Sequence, residues 1–186
     1  MSDVELRELV ASLARGHAET EAAQQETARE LREVGRQIGY LGNKFGSFTE
    51  GLAFESVEKI LRKRFHADTI TRRFKAFRGA RAQEYDLVGL RNGVHNEVYC
   101  VEIKSRLDHE ELHKSLEKFR EFFDLQPQYR GMKLYGIIAA VDVRGALADR
   151  VAHEGLYLAT AGDENFKLVK PKSGFKPRVF TSGKTA

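Results

Sequence analysis

The chain predicts an α/β protein, a mixed central β-sheet flanked by helices and preceded by a long N-terminal coiled-coil helix. Three patterns carry that expectation. Apolar positions recur with 4-3 spacing from Leu6 through Val10, Leu13, Leu31, Val34, Ile38, Leu41, Phe45 and Phe48 to Leu52, a heptad seam. Two runs rich in Val, Leu, Tyr and Ile flank Asn92-Gly93, a turn dipeptide typical of a β-hairpin. The apolar run Leu134 to Val141 is followed by a helix-like segment and a second apolar run from Gly155 to Thr160, as in parallel strands covered on both faces.

With 186 residues the chain has room for one domain of about 140 residues plus an extension. It divides into a coiled-coil oligomerisation helix (1–41), an α/β domain (42–165) and a basic C-terminal tail (166–186). No run reaches the roughly 20 apolar residues of a membrane span, and Met1-Ser2-Asp3 opens an acidic segment without a secretory pattern, so a cytoplasmic protein with no membrane partner is expected. The single Cys100 sits mid-strand and reads as a buried structural thiol. Charge is segregated. Residues 1–41 hold eight acids and five bases, net −3, so residues 42–186 carry +7 of a chain total of +4, as a polyanionic partner would favour.

A helix over residues 3–41 would be about 58 Å long at ~1.5 Å per residue, and it cannot bury its seam alone. A homo-oligomer, most simply a dimer, is expected; the competing arrangement folds the helix back on its own domain. The seam's middle layers, His17 to Thr27, are polar and would fix register at some cost in stability. Gly35, Gly39, Gly42 and Gly46 form a second stripe that predicts close packing or a hinge near 42–46. A new helix is then expected from Ser47 to Phe65.

Between Arg62 and Arg81 eight Lys or Arg stand against one acid, Asp68, with three Phe interleaved. Strand 69–77 and a flexible loop 79–83 follow, and Arg72, Arg73, Lys75, Arg78 and Arg81 are the candidate nucleic-acid contacts. Charges serving solubility alone are the alternative. After the hairpin, Asp108 is placed to cap a helix to about Asp124, with His113, Lys114 and Lys118 on a possible rim. Beyond Asn165 the tail holds six Lys or Arg and no acid, and reads as a mobile arm, either adding nucleic-acid affinity or inert.

The hairpin carries the chemistry. Alternation puts Glu102 and Lys104 on one strand face, and puts Asp86 with Glu84 and Val88 opposite Tyr85 and Leu87. A register that brings Asp86 beside Glu102 makes two carboxylates converge near an ammonium. Such a pair repels itself, and a hard cation with oxygen ligands, Mg²⁺ or Mn²⁺, relieves the repulsion. The chemistry that follows is metal-assisted phosphodiester hydrolysis, with Lys104 on the attacking water or the developing charge.

Asp86 followed by Glu102-Ile103-Lys104 resembles the D…(D/E)-x-K core of the PD-(D/E)XK nuclease superfamily, the fold of many restriction enzymes and Holliday junction resolvases. The region from about Leu41 to Leu158 resembles a prokaryotic group in which a coiled coil precedes such a domain. The resemblance implies a restriction-endonuclease-like order α-β-β-β-α-β-α-β, DNA rather than RNA as substrate, and a further metal-site carboxylate from the first helix. Gly46-x-x-x-Glu50-x-x-Ala53 is similar to the resolvase-type pattern, so that role falls to Glu50, with Glu55 as the alternative; a Glu that merely stabilises a helix's first turn is the other reading. Tyr85 stands where the name-giving Pro would be, and Glu84 could replace Asp86 if the register shifted. Two further readings remain beside the nuclease: a nucleic-acid-binding module without activity, and an oligomerising scaffold.

Overall fold

In a computed structural model of the chain, residues 3–162 and 165–181 are described; within the N-terminal helix the side chains of 3–12, 38–50 and several other positions up to 52 lie outside that description. The described residues fall into two compact units that divide between Phe45 and Gly46.

Helix α1 spans Asp3–Arg64. Its backbone stays helical through Gly42–Gly46, so no separate helix starts at Ser47; a glycine costs only about 1 kcal/mol inside a helix, too little to end one. In the first unit the seam residues Leu13, Leu31 and Val34 are 65%, 67% and 49% exposed, an apolar stripe that the unit itself does not cover. Two polar seam positions satisfy themselves: Thr20 and Thr27 donate their hydroxyls to the carbonyls of Gly16 and Ala23.

The second unit is a six-stranded mixed sheet in the order β1 (Thr69–Arg78), β2 (Arg81–Arg91), β3 (Glu97–Leu107), β4 (Lys133–Val143), β5 (Tyr157–Ala161) and β6 (Phe166–Leu168). β1, β2 and β3 are antiparallel neighbours, β3, β4 and β5 run parallel, and β6 closes the edge antiparallel. The β3–β4 link contains α2 (His109–Leu125), and the β4–β5 link contains α3 (Leu147–His153). One face of the sheet packs on the last turns of α1, where Ala53, Phe54, Val57, Leu61 and Phe65 meet Leu87, Val101, Ile103 and Ile137. On the other face, Leu112, Leu116, Phe119 and Phe122 of α2 and Val151 of α3 cover Val88, Cys100, Leu134 and Ile138. Burial on both sides explains why β4 reads as a continuous apolar run.

Several boundaries move. The loop expected at 79–83 is a two-residue turn, Gly79-Ala80, with Arg78 paired to Arg81 and Gly79 at φ 59°. The tail is no free arm: Phe166–Leu168 pairs with β5, and Phe180 exchanges backbone bonds with Leu134 while its ring, 6% exposed, packs on Phe119. The domain therefore extends through Thr181 rather than stopping at 165. Cys100 is free and fully buried, as expected, and burial pushes its thiol well up.

Candidate active site at a fork in the sheet

The strands that carry the site do not alternate regularly. In β1, Ile70 and Arg72 lie on the α1 face, Arg72 by pairing with Glu58, whereas Phe74 and Ala76 lie on the α2 face. β2 does the same, with Tyr85 on the α2 face and Leu87 on the α1 face. Both reversals occur at one level of the sheet, between the paired rows Arg72↔Leu87 and Phe74↔Tyr85. Arg73 sits there with φ 48°, a left-handed conformation that a non-glycine residue adopts at a cost. Asp86 occupies the matching place on β2. The expected sharing of one face by Glu84, Asp86 and Val88 is thus broken at Asp86, because the Arg73 kink turns both strands over together.

At the same level β2 and β3 part. Their ladder runs from Arg91↔Glu97 to Leu87↔Val101 and stops, whereas β3 stays paired with β4 to Leu107↔Val143. Asp86 and Glu102 are the next residues on the two limbs. In place of a ladder bond, the Ile103 N–H donates to Asp86 Oδ2 at 2.6 Å. Asp86 thus stands at the mouth of a fork, near enough for its charge to act on Glu102.

Glu102 is 1% exposed under α2. Its Oε2 accepts from Lys118 Nζ at 2.7 Å and lies 3.5 Å from Lys104 Nζ, while its Oε1 is buried with no hydrogen-bond partner. Lys104 Nζ is held at 2.8 Å by Glu111 Oε2 of α2. Lys118 Nζ also donates to the Glu84 carbonyl at 3.1 Å. Tyr85 fixes this helix turn to the sheet: its hydroxyl donates to the Lys118 carbonyl at 3.1 Å and its ring packs edge-on against Phe122.

Electrostatics follow from burial. Desolvation raises Asp86 above its ordinary 3.8, outweighing the Ile103 N–H bond and the charges of Lys118 and Lys104. Desolvation also raises Glu102, and Asp86 raises it further against the pull of Lys118 and Lys104. Burial pulls Lys104 down, but the hydrogen bond to Glu111 and the charge of Glu102 outweigh it and leave the ammonium raised; the same bond lowers Glu111. Two acids that resist ionisation beside a lysine that holds its proton make a site suited to a cation and an anionic substrate.

The other expected residues are placed as follows. Glu50 lies outside the described side chains. Glu55 is exposed on α1, and the Glu84 carboxylate points to β1, where Lys75 Nζ is 3.4 Å away. Among the described residues no group of three or more His, Cys, Asp or Glu side chains forms a metal cluster. The donor set in view is Asp86 and Glu102, and Glu102 Oε1 is the buried oxygen that a hard cation would satisfy. His113 is 3.7 Å from Glu117 on the exposed side of α2. All five expected phosphate contacts have partners within the chain. Arg72 pairs with Glu58 and lies over the Phe54 ring, Arg73 lies 6.0 Å from the same ring, Lys75 pairs with Glu84, Arg78 donates to the Asp124 carbonyl, and Arg81 pairs with Glu121 at 3.0 Å.

Glu111 escaped the sequence reading and Lys118 was placed only on the rim. The signal was present in their spacing: Glu111, Ser115 and Lys118 recur at i, i+4 and i+7 beside the apolar stripe of α2, and Ser115 is fully buried. A polar strip along a buried helix face implies a charged partner on the sheet beneath it.

No protein-family model matches the chain, and no curated protein matches it. No helix among the described residues is long and apolar enough to cross a membrane.

Proposed function

We propose that the chain is a metal-dependent nuclease of restriction-endonuclease-like architecture that hydrolyses phosphodiester bonds, in DNA by preference. The observation that carries the proposal is the fork: Asp86 and Glu102 converge under α2, one carboxylate oxygen of Glu102 is unsatisfied, and Lys104 stands beside them in a grip that fixes its ammonium. Asp86 and Glu102 would hold Mg²⁺ or Mn²⁺, with Glu50 as the further carboxylate that the resemblance suggests. Such an ion, when bound, would supply Lewis-acid chemistry to the phosphoryl group and the attacking water. Lys104, held protonated by Glu111, contributes a fixed positive charge to the pentavalent transition state and a donor to the attacking oxygen. Tyr85 and the Asp108 cap hold α2, and with it Glu111 and Lys118, over the fork.

Substrate approach is consistent with the charge of the second unit. The basic side chains of β1 and β2 are paired, but Arg72, Lys75 and Arg81 are each about half exposed. Exposed ion pairs are worth only about 0–1 kcal/mol, so a phosphate can take over such a cation at little cost. The exposed Leu13, Leu31 and Val34 stripe supports self-association through a coiled coil, a dimer in its simplest form. The test is cleavage of labelled DNA and RNA, single- and double-stranded, with Mg²⁺, Mn²⁺ or chelator. Binding without cutting in either metal would favour the non-catalytic nucleic-acid-binding module instead.

A further inference from the structure

The mechanism above leaves Lys118 without a task, although it makes the shortest polar contact that Glu102 has. Its ammonium is 2.7 Å from Glu102 Oε2 and 3.1 Å from the Glu84 carbonyl, on a side chain 25% exposed. Lys104 cannot substitute for it, since Glu111 holds that ammonium at 2.8 Å and leaves 3.5 Å to Glu102. Lys114 is likewise committed to Glu110 and Glu111. Lys118 is thus the principal positive charge compensating a buried carboxylate pair that includes Asp86. A divalent cation on Oε1 and this ammonium on Oε2 would share one carboxylate, and their like charges would repel.

We infer that Lys118 is an internal counter-ion that competes with the divalent metal for the charge of Glu102, so that a metal on the free Oε1 weakens the hold of Oε2 on the ammonium, which the Glu84 carbonyl retains at the rim. The inference rests on the metal-site reading of Asp86 and Glu102. Its physical basis is the asymmetry of the contacts. Lys118 approaches Glu102 from α2 and satisfies one oxygen only; the second oxygen, buried and unpartnered, remains available to begin coordination. The flexible stem of lysine lets the ammonium swing aside without moving the helix. The competition keeps the buried carboxylates compensated in the metal-free protein and weakens metal affinity. A lysine with a purely structural role would act in the opposite direction, since its loss would disorder the site and weaken metal binding.

Calorimetric titration of the full chain with MnCl₂ tests this directly. Wild type is expected to bind Mn²⁺, and Asp86→Asn to lose that binding. Lys118→Met is expected to bind about tenfold more tightly than wild type, about 1.4 kcal/mol, and to show a larger Mn²⁺-induced rise in Tm. Lys118→Arg, which keeps the charge, should bind within about threefold of wild type. Affinity in Lys118→Met equal to or weaker than wild type, with the Asp86 dependence intact, overturns the competition and leaves the metal site standing. Absence of Mn²⁺ binding in wild type and Lys118→Met alike overturns both. If Lys118→Met is unfolded without metal, the readout becomes its Mn²⁺-dependent refolding midpoint: refolding below the wild-type Kd supports the competition, and failure to refold in saturating Mn²⁺ overturns it.

Discussion

At Asp86 stability and the proposed function oppose each other. Its carboxylate satisfies the Ile103 N–H, yet it also repels Glu102 in a buried setting. Because burial raises its folded-state pKa above the unfolded value, the native protein holds the proton more tightly. Its contribution to stability is therefore present at low pH and is lost as pH rises from about 4 through the folded pKa. Glu111 has the opposite sign: its lowered pKa gives stability above the ordinary 4.5 that is lost on acidification. Asp86→Asn keeps an acceptor for Ile103 and removes the repulsion, so we expect a Tm above wild type at pH 8, by roughly 2–4 °C for about 1 kcal/mol. The difference should shrink toward pH 4, and thermal melts across that range check it; a Tm below wild type at pH 8 contradicts the opposition. Part of this was legible in the chain: strand periodicity alone puts Glu102 and Lys104 on one face, and the hairpin raises Asp86 as their neighbour if its register allows. The break in alternation was not legible, because it depends on Arg73 entering a left-handed conformation that no local sequence feature requires.

At the scale of elements, α2 is the part that turns two carboxylates into a site, since it delivers Glu111 and Lys118. Asp108 caps it, accepting from the Glu111 N–H at 2.9 Å, and Asp108→Ala should lower the midpoint of denaturant unfolding. The seat of α2 on the sheet depends on Gly136. A Cβ there would lie 2.6 Å from Phe119 ring carbons and 2.7 Å from a Leu156 methyl, so Gly136→Ala should cost about 1–3 kcal/mol and loosen the grip of Glu111 on Lys104. A Gly136→Ala stability equal to wild type would mean that α2 can shift freely. The helix and its cap were readable from Asp108 and the apolar spacing. The docking of the tail was not: six basic residues obscured Phe166 and Phe180, whose role appears only once β5 and Leu134 are in place.

For the whole molecule, the N-terminal unit is expected to associate and the sheet unit to act. Leu13, Leu31 and Val34 are exposed on one heptad seam. Replacing all three by Glu puts charge into that seam, and light scattering should then report a monomer where wild type is a dimer; equal masses contradict coiled-coil assembly. The heptads were plain in the sequence, as was the α/β succession of strands and helices. How the two limbs of the sheet part was hidden, since a ladder's end is set by the packing of three strands and not by any one of them.

The central claim is that the fork of Asp86, Glu102 and Lys104 hydrolyses phosphodiesters with a divalent metal. The most direct measurement is the rate of cutting a labelled DNA substrate in Mg²⁺ or Mn²⁺ by wild type, Asp86→Asn and Lys104→Met, each checked for native folding. We expect chelator-sensitive cleavage by wild type, with a loss of at least about 10²-fold in each variant. Cleavage that persists in folded Asp86→Asn, or that ignores chelator, would contradict the account.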